Sequence, residues 1–255
     1  MTTLSSPAGP LQFGPGLPTL LINDQLRVMD QSPEVLAELQ EGKVDRLLEL
    51  AYSGQQIGTD MVDILISHPG LDEAALLPKI ATAVQEEIGC PIALDSRDPE
   101  ALEAALQALA PHKALINSVT AESESLETLL PVARKYGAAI VGMPIGRQHG
   151  MPKTVDGRLA EARVIIEAAE DQGISHEDIV IDAICLASAA EPGSMQVTLE
   201  TIRALHDELE VATILGIGNA GFGMPDQTRI DQAYLVAAVP WGLDAALVDL
   251  SLIHI

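Results

Sequence analysis

Short apolar runs alternate with longer amphipathic stretches along nearly the whole chain. The short runs are typical of buried strands, and apolar positions spaced by three and four residues indicate helices. Strands are predicted at 19–23, 61–66, 91–95, 114–118, 138–143, 179–182, 212–216 and 245–249. Helices are predicted at 33–40, 44–51, 72–87, 98–109, 123–136, 155–172, 195–209 and 229–239.

This alternation is the signature of β/α units, and about eight strands is the count of a TIM barrel. We therefore predict an α/β fold, a (β/α)8 barrel, as a single domain over residues 19–255. A doubly wound open sheet is the alternative. Residues 1–18 are rich in Pro, Gly and Ser and are expected to form a flexible leader.

The chain stops shortly after the last predicted strand, so the closing helix of the barrel is expected to be missing. Either the chain is a fragment or its last residues are not the native ending. An uncovered apolar end would destabilise the barrel and favour association.

Composition and charge narrow the possible partners. The chain is 47% hydrophobic but only 2% aromatic, so its core must be built from Leu, Ile, Val and Ala. Its formal charge of -23 repels nucleic acid and anionic membranes. No apolar run approaches the length of a membrane span. The two cysteines, Cys90 and Cys185, lie far apart in the sequence, which fits a cytoplasmic location.

Polar residues stand at the ends of most predicted strands. They are Asn23, Asp95, Asn117, Asp182, Asn219 and Asp249, and Asp63 lies within the second strand. In a TIM barrel the carboxyl ends of all strands meet on one face, so these side chains would surround one pocket. Each residue alone has a structural explanation, such as capping a helix, but buried carboxylates are costly unless something pairs with them.

The types of these residues favour an organic ligand over a metal or a phosphate. The six histidines form no H-x-x-x-H pair, and there is neither a phosphate-binding loop nor a G-x-S-x-G nucleophile. Gly216, Gly218 and Gly221 spell G-x-G-x-x-G, but residues 222–225 delay the helix that a dinucleotide site requires. Carboxylates and amides suit a flat heterocycle such as a pterin, whose adjacent N–H and amino groups one carboxylate can accept together.

Several segments resemble the pterin-binding methyltransferases, which comprise the methyltetrahydrofolate:corrinoid protein methyltransferases and the folate module of cobalamin-dependent methionine synthase. The matching segments are residues 94–96, 116–122, 150–158, 181–182 and 216–225, within a resemblance that covers roughly residues 19–249. The resemblance implies a TIM barrel and a transferase that moves a methyl group between N5 of tetrahydrofolate and the cobalt of a corrinoid.

The resemblance also assigns roles to residues. It implies that Asp95, Asn117 and Asp182 hold the pterin ring, with Gly142 and Gly218 also in the pterin site. It places Asn219 near N5 as the catalytic residue, where it would hold a hydrogen bond that strengthens as charge develops. No bound metal is expected. The corrinoid (cobalamin) would come on a separate protein, because the chain has no D-x-H-x-x-G motif, and a homodimer is expected.

The chain departs from the family pattern at three places. Leu26 and Leu65 stand where the family carries asparagines on the methyl side of the site, and Asp231–Gln232 stands where it carries an Asn–Arg pair. Asn23 or Ser67 could compensate. A non-catalytic pterin-binding subunit is therefore one alternative. Another is dihydropteroate synthase, although no lysine lies between residues 211 and 225 to serve a pyrophosphate.

Overall fold

Eight parallel strands form a closed barrel in the computed structural model, which describes residues 1–146 and 150–249. The strands are β3 (Leu20–Arg27), β4 (Met61–Leu65), β5 (Ile92–Asp95), β6 (Leu115–Thr120), β7 (Ala139–Met143), β8 (Ile179–Asp182), β9 (Ala212–Gly216) and β10 (Ala245–Val248). The last strand pairs with the first in parallel, with Ala245 opposite Leu20. This pairing confirms the predicted TIM barrel and excludes the open sheet.

Helices follow the barrel strands as the sequence pattern predicts. They are α1 (Pro33–Gln40), α2 (Asp45–Gln56), α3 (Glu73–Ile88), α4 (Pro99–Leu109), α5 (Ser123–Tyr136), α6 (Val155–Asp171), α7 (Ser194–Leu209) and α8 (Gln227–Ala238). Side-chain caps fix the starts of three of them: Asp72 accepts from the Ala75 amide, Asp98 from the Glu100 amide, and Thr154 from the Gly157 amide. None of the helices in the described residues has both the length and the apolar composition that a membrane span requires.

The barrel separates two apolar cores. Leu, Ile, Val and Ala side chains on the outer faces of the strands pack against the helices. A smaller cluster fills the interior, with Ile22, Met61, Ala93, Leu115 and Val180 pointing inward from five different strands. Because successive strand residues point to opposite faces, the residue two positions after each of these also points inward, one layer closer to the carboxyl end.

An antiparallel hairpin, β1 (Thr2–Ser6) and β2 (Gly9–Phe13), closes the amino-terminal end of the barrel. The prediction of a flexible leader is therefore wrong for these residues. Leu4 and Phe13 are fully buried within the interior cluster of the barrel. The Ser5 hydroxyl also accepts from the Lys113 amide at 2.8 Å, which ties the hairpin to the loop before β6. The high Pro and Gly content obscured two strands of only five residues each.

The outer face of β10 is covered, with Ala246 and Val248 both 0% exposed. Within the described residues the expected uncovered apolar end is thus not seen on this strand. The expected absence of a closing helix falls on residues 250–255, which lie outside the described residues.

The hairpin should contribute measurably to stability. We expect Phe13→Ala to lower the free energy of unfolding by about 3–5 kcal/mol, because it removes a fully buried aromatic ring and leaves a cavity. Gln12→Ala, on the exposed face of the same strand, is the matched control and should change it by less than about 0.5 kcal/mol. Urea denaturation of both variants measures the difference. Equal stabilities would mean that the hairpin detaches in solution.

Candidate pterin site

Asp63 and Asn117 are hydrogen-bonded to each other inside the barrel mouth, which is the opening at the carboxyl ends of the strands. Asn117 Nδ2 donates to Asp63 Oδ1 at 3.0 Å, and Asp63 is 0% exposed. Their strands, β4 and β6, are separated by β5, so the bond runs through the interior rather than along the sheet. The other carboxylate oxygen, Oδ2, is buried and has no partner among the described residues. A buried acceptor without a donor costs free energy, which a ligand N–H would recover.

Asp95 lies beside this pair at the end of β5, in register with Asn117. The pKa of Asp95 is raised to about 7, chiefly by burial; the charge of Arg27 opposes this shift and the charge of Asp24 adds to it. Burial and the neighbouring Asp95 also raise the pKa of Asp63 well above its usual range. The described residues therefore place carboxyl groups together in the mouth with too little positive charge to hold them all ionised.

Asp182 lies at the end of β8, and a network of hydrogen bonds among neighbouring residues holds it in place. Its Oδ1 accepts from the Ile184 amide at 2.7 Å, and Ile184 has a φ of 60°. A positive φ is unfavourable for a β-branched residue, so the surrounding contacts must hold it in place. Thr198 Oγ1 donates to the Ile184 carbonyl at 2.8 Å. Fully buried Arg158 donates to the Ala183 carbonyl at 2.7 Å and to Thr198 at 3.1 Å.

The charge state of Asp182 reflects this setting. Burial raises its pKa to about 6, whereas the Ile184 amide and the charge of Arg158 oppose the rise. A carboxylate with this pKa is available as an acceptor at neutral pH. The Ile184 amide donates to Oδ1 of Asp182 and not to Oδ2. The Oδ2 atom is therefore suited to accept a hydrogen bond from a ligand.

Asn219 ends a 3-10 turn, Ile217–Asn219, directly after β9. Its side chain is exposed, and Gly216 leaves room for it: a Cβ at position 216 would lie 3.3 Å from Asn219 Nδ2. The Ser188 amide donates to the Ala220 carbonyl at 3.2 Å, which ties the loop of Asn219 to the loop that follows Asp182. Gly218 faces open space, with no atom within 4 Å of where its Cβ would be.

The structure corrects the first-strand assignments. Asn23 points away from the mouth, and its amide donates to the Leu50 carbonyl of α2 at 3.2 Å, so it cannot compensate for a missing ligand contact. A bulge between Asn23 and Leu26 shifts the strand, and Leu26 packs in the outer core. Arg27 and Asp24 instead face the mouth, joined by an ion pair at 3.3 Å. Asp24 follows the alternation from the inward Ile22, whereas the bulge hides the inward direction of Arg27 from a simple alternation of positions.

Gly142 and Asp249 differ from the mouth residues in their surroundings. The missing side chain of Gly142 would point at α6, 2.9 Å from Ile165 Cγ2, so this glycine permits close packing of helix and sheet. A backbone contact of Gly142 with a ligand stays a prediction. Asp249 lies exposed at the rim, where Gln25 Nε2 donates to it at 3.4 Å.

Among the described residues, no group of three or more His, Cys, Asp or Glu side chains could hold a metal ion. Besides the Arg27–Asp24 ion pair, the inward groups are three carboxyl groups and an amide, namely Asp63, Asp95, Asp182 and Asn117. This set matches an organic ligand that presents several N–H donors in one plane.

Comparison with known proteins agrees with this chemistry. The family model described as "Pterin binding enzyme" matches residues 33–249. The chain belongs to the pterin binding enzyme family. Such a match is consistent with a mouth in which Asp63 Oδ2 is buried without a donor from the described residues, and the family's barrel supplies the fold that the sequence pattern predicts.

Two proteins are similar to this pterin binding enzyme in sequence, and one solved structure is similar to it in fold. It is 25% identical to a methylcorrinoid:tetrahydrofolate methyltransferase of Eubacterium limosum, over 85% of this chain and 80% of that one. It is 28% identical to the methionine synthase of Mycobacterium tuberculosis, over 81% of this chain but only 18% of that protein. The structure of Yersinia pestis DHPS with a pterine-sulfa conjugate superposes with a TM-score of 0.70 at 17% identity, covering 99% and 95% of the two chains, which shows a shared fold.

The buried carboxyl group of Asp95 should make the ligand-free protein less stable at high pH. Unfolded aspartate ionises near pH 3.8, whereas folded Asp95 holds its proton to about pH 7. The folded state thus binds more protons between these values, so the contribution of Asp95 to stability falls as pH rises from about 4 to 7.

We therefore expect Asp95→Asn to be more stable than the wild-type chain at pH 8 by about 1–3 kcal/mol, with a smaller difference at pH 5. Urea denaturation at the two pH values measures this. The exposed Asp207→Asn is the matched control and should leave both values unchanged. If the variant is no more stable than wild type at pH 8, ionising the buried carboxyl group of Asp95 does not destabilise the folded protein.

Proposed function

We propose that this pterin binding enzyme transfers a methyl group between N5 of (methyl)tetrahydrofolate and the cobalt of a corrinoid protein. The observation that carries the proposal is the similarity to the methylcorrinoid:tetrahydrofolate methyltransferase, which extends over 85% of this chain and 80% of that one. The exposed side-chain amide of Asn219 lies beside the buried acceptors of the mouth and supports this proposal, because it would offer a hydrogen-bond donor to a pterin held there.

The pterin would be held by the strand-end acceptors. Its adjacent N–H and amino groups match the acceptors that Asp95 and Asp182 present, and an ionised carboxylate can accept both donors at once. Asn117 would contact the ring from a position fixed by its bond to Asp63. The unpartnered Oδ2 of Asp63 gives a further reason for a ligand donor in this space. Gly142 and Gly218 complete the proposed pterin site.

Asn219 would act on the reacting nitrogen. The methyl group leaves N5 while the electron pair of the N–C bond stays on nitrogen, and reduced cobalt accepts the methyl group with its own electron pair. An amide does not titrate usefully, so the proton that N5 gains comes from elsewhere. Asn219 can hold a hydrogen bond to N5 that strengthens as the bond breaks, which lowers the barrier without tightening substrate binding.

The corrinoid would arrive on a partner protein that docks over the exposed mouth. This assignment follows the similarity to the Eubacterium limosum enzyme, whose name specifies a methylcorrinoid substrate. A homodimer in the cytoplasm is part of the same proposal.

The decisive experiment is optical. We expect the protein, mixed anaerobically with methyltetrahydrofolate and free cob(I)alamin, to produce the absorption spectrum of methylcobalamin. Protein-free mixtures are the blank. If folate binds by titration but no methylcobalamin forms even with a cognate corrinoid protein, the methyltransferase proposal is wrong. Condensation of a pterin pyrophosphate with p-aminobenzoate, assayed in parallel, would instead identify a dihydropteroate synthase.

Asn219→Ala separates binding from turnover. We expect this variant to bind methyltetrahydrofolate with nearly unchanged affinity and to lose about 10²–10³ in kcat, because the lost hydrogen bond acts mainly in the transition state. Titration and methylcobalamin formation measure the two quantities. Asp95→Asn is the contrasting variant and should weaken binding. Unchanged turnover in Asn219→Ala would remove Asn219 from the catalytic role.

A further inference from the structure

Two side chains of α8 hold the loop that carries Asn219. Gln227 Nε2 donates to the Gly218 carbonyl at 2.9 Å, and the Gly221 amide donates to Asp231 Oδ1 at 2.6 Å. These contacts flank Asn219, one residue before it and two residues after it. They are side-chain contacts, so each can be removed by mutation without altering the loop sequence.

The loop would be poorly ordered without such contacts. It contains Gly216, Gly218, Gly221 and Gly223, and glycine retains more backbone freedom than any other residue. Within the described residues the side chain of Asn219 makes no hydrogen bond that would orient it. Its direction therefore depends on the backbone on either side of it.

The contact with Asp231 is built into the packing. Asp231 is 2% exposed, and a Cβ at position 221 would lie 2.9 Å from its Oδ1 and 2.9 Å from the Gln227 carbonyl. Only glycine at 221 lets α8 approach this closely. The Gly221 amide is itself buried, so an apolar residue at 231 would leave this donor unpaired. The Asp231 side chain therefore satisfies the loop backbone and fixes its distance from α8.

We propose that Asp231 and Gln227 are positioning residues that fix Asn219 over the barrel mouth. The proposal rests on the methyl transfer proposed above. A hydrogen-bond donor assists a reaction only when it is held in the productive geometry, and a displacement of about 1 Å can cost roughly 10² in rate. The departure from the family's Asn–Arg pair then has an explanation, because the oxygen of either Asn or Asp at 231 can accept from the Gly221 amide.

Conservative and disruptive variants separate positioning from folding. We expect Asp231→Leu to lower kcat by roughly 10–100-fold while the Kd for methyltetrahydrofolate changes less than about threefold. Asp231→Asn, which keeps an acceptor, should restore kcat to within a few-fold of wild type. Gln227→Ala, at the half-buried start of α8, should fold normally and lower kcat by roughly tenfold. Thr228→Ala, exposed on the same turn, is the matched control with unchanged kcat.

A double-mutant cycle identifies Asn219 as the residue through which both act. In an Asn219→Ala background, Gln227→Ala and Asp231→Leu should cause little further loss of kcat, since the group they position is gone. Full additivity in this background would overturn the proposal. So would wild-type kcat in folded Gln227→Ala and Asp231→Leu proteins.

The positioning role can be tested even if the proposed methyl transfer does not occur. If the wild-type chain forms no methylcobalamin, the loop contacts are still tested by hydrogen exchange at the Gly221 amide. We expect this amide to be protected in the wild type and in Asp231→Asn, and to exchange at least tenfold faster in Asp231→Leu. Equal exchange in all three proteins would overturn the positioning role independently of the reaction.

Discussion

In a closed barrel of eight parallel strands, every second residue of each strand must point into the same narrow interior. At the amino-terminal end of this barrel those residues are apolar, and the hairpin seals them with Leu4 and Phe13. One layer toward the carboxyl end, the same alternation turns Asp63, Asp95 and Asn117 inward. The sheet thus forces acidic groups into a space with little water, and their raised pKa values are the direct consequence.

Most of the architecture could be predicted from the sequence because the strands and helices have clear periodicity. The predicted bounds of α1, α5 and β8 agree with the structure residue for residue. The hairpin was missed because its alternation covers only five residues per strand within a segment rich in Pro and Gly. Local composition indicated flexibility there, whereas contacts with the distant strands of the barrel provide the order.

The site was predictable where strands are regular and not where they are distorted. β5 and β8 are regular and bring Asp95 and Asp182 to the mouth, and β6 brings Asn117 there because its register shift begins only after Asn117. In β3 ordinary alternation from the inward Ile22 already turns Asn23 toward α2, and the bulge that follows turns Leu26 outward and Arg27 toward the mouth. Gly142 was assigned to the ligand, but a residue without a side chain gives no sequence signal that separates helix packing from ligand contact. The network of Arg158, Thr198 and Ile184 joins residues far apart in the sequence, so only tertiary structure reveals it.

Barrel strands and connecting loops have different roles in this site. The proposed acceptors for a flat ring lie on the strands, where the hydrogen-bonded sheet fixes them, and the barrel fold is shared with the Yersinia pestis structure despite 17% identity. Asn219 lies on a glycine-rich loop, whose geometry depends on contacts from α8. A rigid strand layer can retain ring recognition while loops diverge. Differences in reaction between members of one barrel family are therefore expected to arise in loops such as 216–225, and in the helix residues that hold them, rather than in the strand-end carboxylates.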